Sequence, residues 1–239
     1  MKIALVNFSG NVGKTTLAQH LFAPKLGAVI TAIESINSGG EAAGAVLESD
    51  DYNALSEELM LADSSQNVVV DVGSSNIESV MNSLKRLGSA DIDFDAYVLP
   101  VIADAKQQID TIATIEALTE LGVSADKIIV IPNIVEKPKS IEKDFERIYR
   151  VGELGAAQVS AVPVLAVEVY GKLKEIGDKR SVFEVANDET VSPEAARALT
   201  DAMARQAMAA AVIRKRLATF AAQNLEEVWK IVGPMLNAA

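Results

Sequence analysis

The sequence predicts an α/β fold in which a mostly parallel sheet is flanked by helices and followed by a C-terminal helical segment. Three observations predict it. Short apolar, β-branched runs recur along the chain, stretches of helical length and patterning separate them, and a glycine-containing loop joins the first run to the first amphipathic stretch.

The runs fall at residues 3–7, 28–33, 68–72, 96–103, 127–135 and 159–167. Runs this apolar suit strands covered on both faces, and alternation with helices implies right-handed crossovers between parallel neighbours. Residues 104–121 show the crossover pattern: Ile109, Ile112, Ala113, Ile115, Ala117 and Leu118 recur at helical spacing behind Asp104. Residues 192–211 open on Ser192-Pro193-Glu194, a good helix start, and are dense in Ala and Met, which predicts one long helix packed on the sheet. A second helix is expected through Trp229, ending by Pro234. The segment of about 192–236 is read as part of a single domain over residues 1–239, with no internal repeat or linker.

Composition narrows the partners. Of 239 residues 49% are hydrophobic and 23% charged, the balance of a globular chain with a sizeable core. There is no cysteine, so disulfide frameworks and thiolate metal sites are excluded. Asn7, Ser9 and Asn11 interrupt the N-terminal apolar stretch before a signal-peptide core forms, and no run is long enough to span a bilayer; the chain reads as cytoplasmic. The net charge is −11, and residues 41–95 hold twelve Asp or Glu against Lys85 and Arg86. Direct binding to a polyanion is therefore expected to be weak. Arg205, Arg214, Lys215 and Arg216, in a stretch without acidic residues, read as a solvated helix face before a nucleic-acid or lipid contact.

The chemistry concentrates in Ser9-Gly10-Asn11-Val12-Gly13-Lys14-Thr15-Thr16, directly after the first strand and before a helix carrying Leu17, Leu21 and Phe22. That is the setting of a phosphate loop. Gly10 and Gly13 permit close backbone approach, and successive amides, including those of Asn11, Val12 and Thr16, point at phosphate oxygens beside a helix N-terminus. Lys14 would meet the β and γ phosphates of a nucleotide, and Thr15 would give a hydroxyl to Mg²⁺. The strand at 68–72 carries Asp71 at its end, where an aspartate can hold a water on Mg²⁺, and Gly73 would let the following loop respond to the γ-phosphate. Ser74 or Ser75 serves equally well as a helix N-cap. His20 and Trp229, each the sole residue of its type, read as packing residues.

The intact Gly13-Lys14-Thr15-Thr16 half, with Phe8 where the usual loop has glycine, resembles the deviant Walker A motif of the ParA/MinD ATPases. The opening sixteen residues look closest to the plasmid-stability StbB branch. The resemblance implies a P-loop ATPase that dimerises around ATP, releases on hydrolysis, and works with a DNA-bound adaptor in plasmid partition, stability or conjugative transfer. It implies that Glu34, at the end of the second strand, positions the attacking water, and that Asn133 contacts the purine; Val162-Pro163 closes or bends the next strand beside it, and a simple strand-ending turn is the alternative for each. The family's signature lysine is replaced by Ser9. Asn133-Ile134-Val135-Glu136 lacks the guanine-reading lysine and aspartate, which favours adenine. Two other functions stay open: a small-molecule ATP-dependent enzyme similar to dethiobiotin synthetase, and a nucleotide-bound scaffold with little turnover.

Overall fold

The computed structural model describes residues 1–33, 45–47, 52–61, 66–136 and 138–238. Seven strands form one parallel sheet: β1 Lys2–Leu5, β2 Val29–Ile33, β3 Ala45–Leu47, β4 Val68–Val72, β5 Ala96–Val101, β6 Ile128–Pro132 and β7 Gln158–Val159. Their spatial order is β3-β2-β4-β1-β5-β6-β7. In that order β1 lies between β4 and β5, with Leu5 opposite both Asp71 and Val98. The connection leaving β1 runs to one side of the sheet while those after β4 run to the other. The crevice at the carboxyl end of β1 is thus the topological switch point, where α/β sheets bind ligands.

Side-chain alternation along each strand divides the core between two faces. Ala4, Val70, Tyr97 and Leu99 face α3 (Ile77–Leu87), α4 (Ala105–Glu120) and α5 (Glu146–Glu153), which contribute Leu84, Ile115, Leu118 and Ile148. Ile3, Leu5, Val69 and Val98 face the opposite layer. There α1 supplies Leu17, Leu21 and Phe22; it comprises Lys14–Leu17, a π-helical turn Ala18–Phe22, and Ala23–Leu26. The same layer holds α6 (Val169–Glu175), α7 (Val182–Ala186) and α9 (Ala202–Ala238); α2 is Tyr52–Leu61 and α8 Pro193–Ala198.

Five strands coincide with the apolar runs within three residues, β4 residue for residue, and α4 starts where Asp104 accepts hydrogen bonds from the amides of Lys106 and Gln107. Three expectations are corrected. The run at 159–167 is strand only through Val159. Beyond it the Ser160 hydroxyl bonds the Val162 carbonyl at 2.8 Å and Pro163 has no N–H, so the ladder gives way to a single bridge between Val135 and Leu165. The helix expected at 192–211 breaks at Leu199, which is extended (ψ 131°), and a new helix starts because Asp201 Oδ1 accepts from the Ala204 amide at 2.7 Å. That new helix, α9, runs unbroken for 37 residues through Pro234. Pro234 lies in its last turns, where losing one N–H costs the helix little of its length.

Candidate functional site

The loop between β1 and α1 is held in shape by its flanks. Asn7, fully buried, donates through Nδ2 to the Pro100 carbonyl at 3.0 Å and to Thr111 Oγ1 at 2.7 Å, while its Oδ1 accepts from the Ser9 amide at 2.8 Å. Left unpaired, such an amide would cost about 1–3 kcal/mol. The Phe8 amide donates to Thr114 Oγ1 at 3.1 Å. A polar face of α4 therefore clamps the entry to the loop. On the far side Val12 is buried, and its carbonyl accepts from Asn133 Nδ2 at 2.7 Å.

Between these clamps the backbone twice enters the left-handed region, at Asn11 (φ 58°) and Gly13 (φ 92°). Asn is one of the few side chains that tolerates it. At Gly13 glycine is required twice over, since a Cβ there would stand 2.2 Å from Asn133 Nδ2. A Cβ on Gly10 would stand 3.1 Å from Ser74 Oγ, so the loop after β4 packs directly on the phosphate-loop backbone. Gly73 links that loop to the sheet by donating to the Ile33 carbonyl at 2.9 Å. The N-cap of α3 is Asn76, not Ser74 or Ser75.

Lys14 is buried and folds back over the loop, its Nζ donating to the carbonyls of Ser9 (3.0 Å) and Asn7 (3.4 Å). Burial lowers its pKa to about 8, and the charge of Asp71 offsets part of that fall. Thr15 Oγ1 donates to Asp71 Oδ2 at 2.6 Å. With its proton committed to the carboxylate, the hydroxyl keeps lone pairs for a hard cation, and a nearby carboxylate suits an ion that retains several waters. Gly10, Asn11, Gly13, Lys14, Thr15, Thr16, Asp71, Gly73 and Ser74 line one cavity of about 460 Å³, joined by Ile134 and Lys174. The Lys14 ammonium, the Thr15–Asp71 pair and the loop amides around this cavity form a set that fits a magnesium polyphosphate.

A second cavity, of about 440 Å³, shares Gly13, Thr16 and Ile134 with the first and is otherwise lined by Asn133, Glu136, Leu165, Ala166, Val167, Glu168 and Tyr170. Its apolar lining suits a flat base. Asn133 is there, with its amide nitrogen committed to the loop. Pro163 does not line it: it is buried, its carbonyl accepts from Asn224 Nδ2 at 3.0 Å, and the wall comes from residues a few positions later. Glu34 lies outside the described residues. Ser9 is turned to α4, its hydroxyl donating to Asp110 Oδ2 at 2.7 Å; Lys106 Nζ reaches the same oxygen at 2.7 Å. The hydrogen bonds from Lys106 and then Ser9 hold the Asp110 carboxyl below its ordinary range.

Sequence reasoning missed Ile134, Leu165, Val167, Tyr170 and Lys174. Ile134 has φ 55°, which nothing in its side chain announces, and the others reach the site through tertiary packing. His20, at the back of the site on α1, is buried against the Tyr170 ring with centroids 5.2 Å apart; burial lowers its pKa to about 4, against smaller opposing effects of Asp178 and Glu184.

A parallel sheet with a phosphate loop at the switch point of β1, closed by a C-terminal helix, is the P-loop NTPase fold. Solved structures share it. An ATP complex of a variant of McdA from Cyanothece is similar over 97% of this chain and 96% of that one, at 14% identity and TM-score 0.53. The MinD cell division protein of Aquifex aeolicus is similar over 89% of this chain and 95% of that one, at 15% identity and TM-score 0.51. No protein-family model matches the sequence, and no curated protein matches it.

Proposed function

We propose that the chain is a cytoplasmic Mg-ATP-dependent ATPase of the ParA/MinD kind, a single domain that acts as a molecular switch in plasmid partition, stability or conjugative transfer. The observation that carries this reading is the coupling of Lys14, Thr15 and Asp71 in a polar cavity that shares Gly13, Thr16 and Ile134 with an apolar, base-sized one. ATP supplies the phosphoanhydride and Mg²⁺ the charge that neutralises it. The loop amides of residues 10–16 and Lys14 hold the phosphates, Thr15 and Asp71 hold the metal, and the wall from Asn133 to Tyr170 receives the base. Glu34, at the exit of β2, is assigned the water-orienting role. ATP complexed to the structurally similar McdA supports the nucleotide.

A nucleotide site at the rim of a sheet can be covered by a second subunit, which excludes water and strengthens each charge interaction. The switch we infer is a homodimer formed with ATP and loosened on hydrolysis. A net charge of −11 argues against direct binding to naked DNA, so DNA is reached through an adaptor protein. Phosphate release measured for the parent, Lys14→Ala and Glu34→Ala, with and without DNA and candidate adaptors, tests this reading. It requires turnover that the first variant abolishes and the second strongly reduces. A parent that binds ATP without turnover under any condition would leave only a scaffold.

A further inference from the structure

We propose that Lys174 is a second phosphate-binding cation of the nucleotide site, supplied from α6 to the same cavity that Lys14 enters from the loop. This rests on the reading of that cavity as a triphosphate site.

Lys174 lines the cavity together with Lys14, Thr15, Thr16, Asp71 and Gly73, although it stands 160 residues further along the chain than Lys14. Its helix is firmly placed. Val169 and Leu173 are buried in the core shared with α1, the Tyr170 ring packs on His20 of α1, and Gln19 Nε2 of α1 donates to the Lys179 carbonyl at 2.9 Å. The phosphate loop opens α1, so both cationic side chains of the cavity hang on one rigid pair of helices. Rigid support is what holds a binding group in register with its ligand.

The helix also spans the length of the site. Glu168, at its N-cap, and Tyr170 line the apolar cavity, and Lys174 lines the polar one. Lys174 lies six positions after Glu168, a rise of about 9 Å along the helix. A ligand with its base in one cavity and its phosphates in the other would lie along α6.

Of the cavity's lining residues only Lys14 and Lys174 are cationic, and several cations elsewhere are engaged. Lys25 pairs with Glu226, Lys106 with Asp110, and Arg180 with Asp178 and Asp188. Among the described residues the Lys174 side chain has no hydrogen bond or ion pair, while its backbone carbonyl accepts from the Gly177 amide at 3.0 Å. An exposed lysine with no acidic partner, on the wall of a cavity lined with phosphate-binding backbone, adds to the field that a polyanion meets there. An exposed ion pair alone is weak, whereas a charge-assisted hydrogen bond inside a groove of fixed amides is worth about tenfold in affinity.

Calorimetric titration of Mg-ATP, Mg-ADP and AMP into the parent, Lys174→Ala, Lys174→Arg and Lys172→Ala tests the assignment. Lys172 is exposed on the same helix and lines neither cavity, so it controls for general surface charge. Lys174→Ala should weaken Mg-ATP about tenfold and leave AMP unchanged, with Lys174→Arg recovering most of the loss and Lys172→Ala matching the parent. Unchanged ATP affinity in Lys174→Ala overturns the proposal. So does an equal loss in Lys172→Ala, which would mean diffuse electrostatics, or an equal loss of AMP, which would mean a displaced helix. If Lys14→Ala abolishes binding while Lys174→Ala does not weaken it, only Lys174 is misassigned; if the parent binds no Mg-ATP at all, the triphosphate reading falls with it.

Discussion

Asn133 Nδ2 donates to the Val12 carbonyl at 2.7 Å and lies 2.2 Å from the place a Cβ on Gly13 would occupy. One side chain from the end of β6 thus fixes the phosphate loop by a hydrogen bond and forbids a methyl group one residue further on. Gly13→Ala should cost about 1–3 kcal/mol of stability, from strain at φ 92° and from displacing the amide, and should abolish nucleotide binding. In an Asn133→Ala background the added cost of Gly13→Ala should shrink, since the two changes share one space. Urea unfolding of the double-mutant cycle decides this; strictly additive values would show that the contact carries no energy.

Lys14 gives the site a pH dependence whose sign follows from its environment. Burial lowers its pKa to about 8, so the free protein holds the ammonium at neutral pH and loses it as pH rises through 8. A bound polyanion favours the charged form and raises that pKa. ATP affinity should therefore be flat near pH 7 and fall above pH 8, and binding at pH 8.5 should take up a fraction of a proton. Calorimetry in two buffers of different ionisation enthalpy measures that uptake directly. Heats independent of buffer at pH 8.5 would contradict it.

Asp71 should couple to both neighbours. In Asp71→Asn the Thr15 hydroxyl loses its anionic acceptor and Lys14 loses a charge that supports its protonated form. Hydrolysis should drop by about a hundredfold or more, the several kcal/mol a metal ion supplies. The alkaline fall in ATP affinity should also move to lower pH. Rates and affinities across pH 6.5–9 test both; a profile superimposable on the parent's would separate Asp71 from Lys14.

His20 makes an acid-side prediction. Its folded pKa, about 4, lies below the ordinary 6.5, so between those values the unfolded chain binds the proton and the native one does not. Its contribution is fully present above pH 6.5 and is lost as pH falls toward 4, amounting to about 3 kcal/mol. His20→Leu, which also removes a buried Nδ1 without a hydrogen-bond partner among the described residues, should flatten this acid limb. Denaturant midpoints at pH 7 and pH 5 give the comparison, and an unchanged difference between them would refute it.

The parts of the molecule governed by local patterning were legible in the sequence. Val68–Val72 is apolar at every position but its aspartate, and Asp104 caps α4 through atoms two and three residues away. Gly10 to Thr16 is a local motif whose cavity forms where the first strand places it. Illegibility begins where a short-range side-chain bond overrides a segment's propensity, or where one element depends on a distant one. The break at Leu199 interrupts an Ala-rich stretch whose propensity is helical throughout, and it is set by the Asp201 cap and by Arg205 reaching back to the Leu199 carbonyl at 2.7 Å. Pro163 marks a turn, yet that turn is built around Ser160 and delivers Leu165 to Glu168, not Pro163, to the cavity. Lys174 had no signal at all, being an ordinary lysine until α6 is laid beside α1.

The 37 residues of α9 are attached to the molecule unevenly. From Val212 onward, Ala218, Ala221, Leu225, Val228, Val232 and Leu236 sink into the core, whereas none of residues 202–211 is buried. Those first turns form an overhang sustained by alanine's helical preference, and ten residues are too few to be a stable helix on their own. They exist as helix because the anchored part has already paid the cost of nucleation. In amide hydrogen exchange the two stretches should part company, the overhang trading its protons through local fraying and the anchored turns only when the whole layer opens.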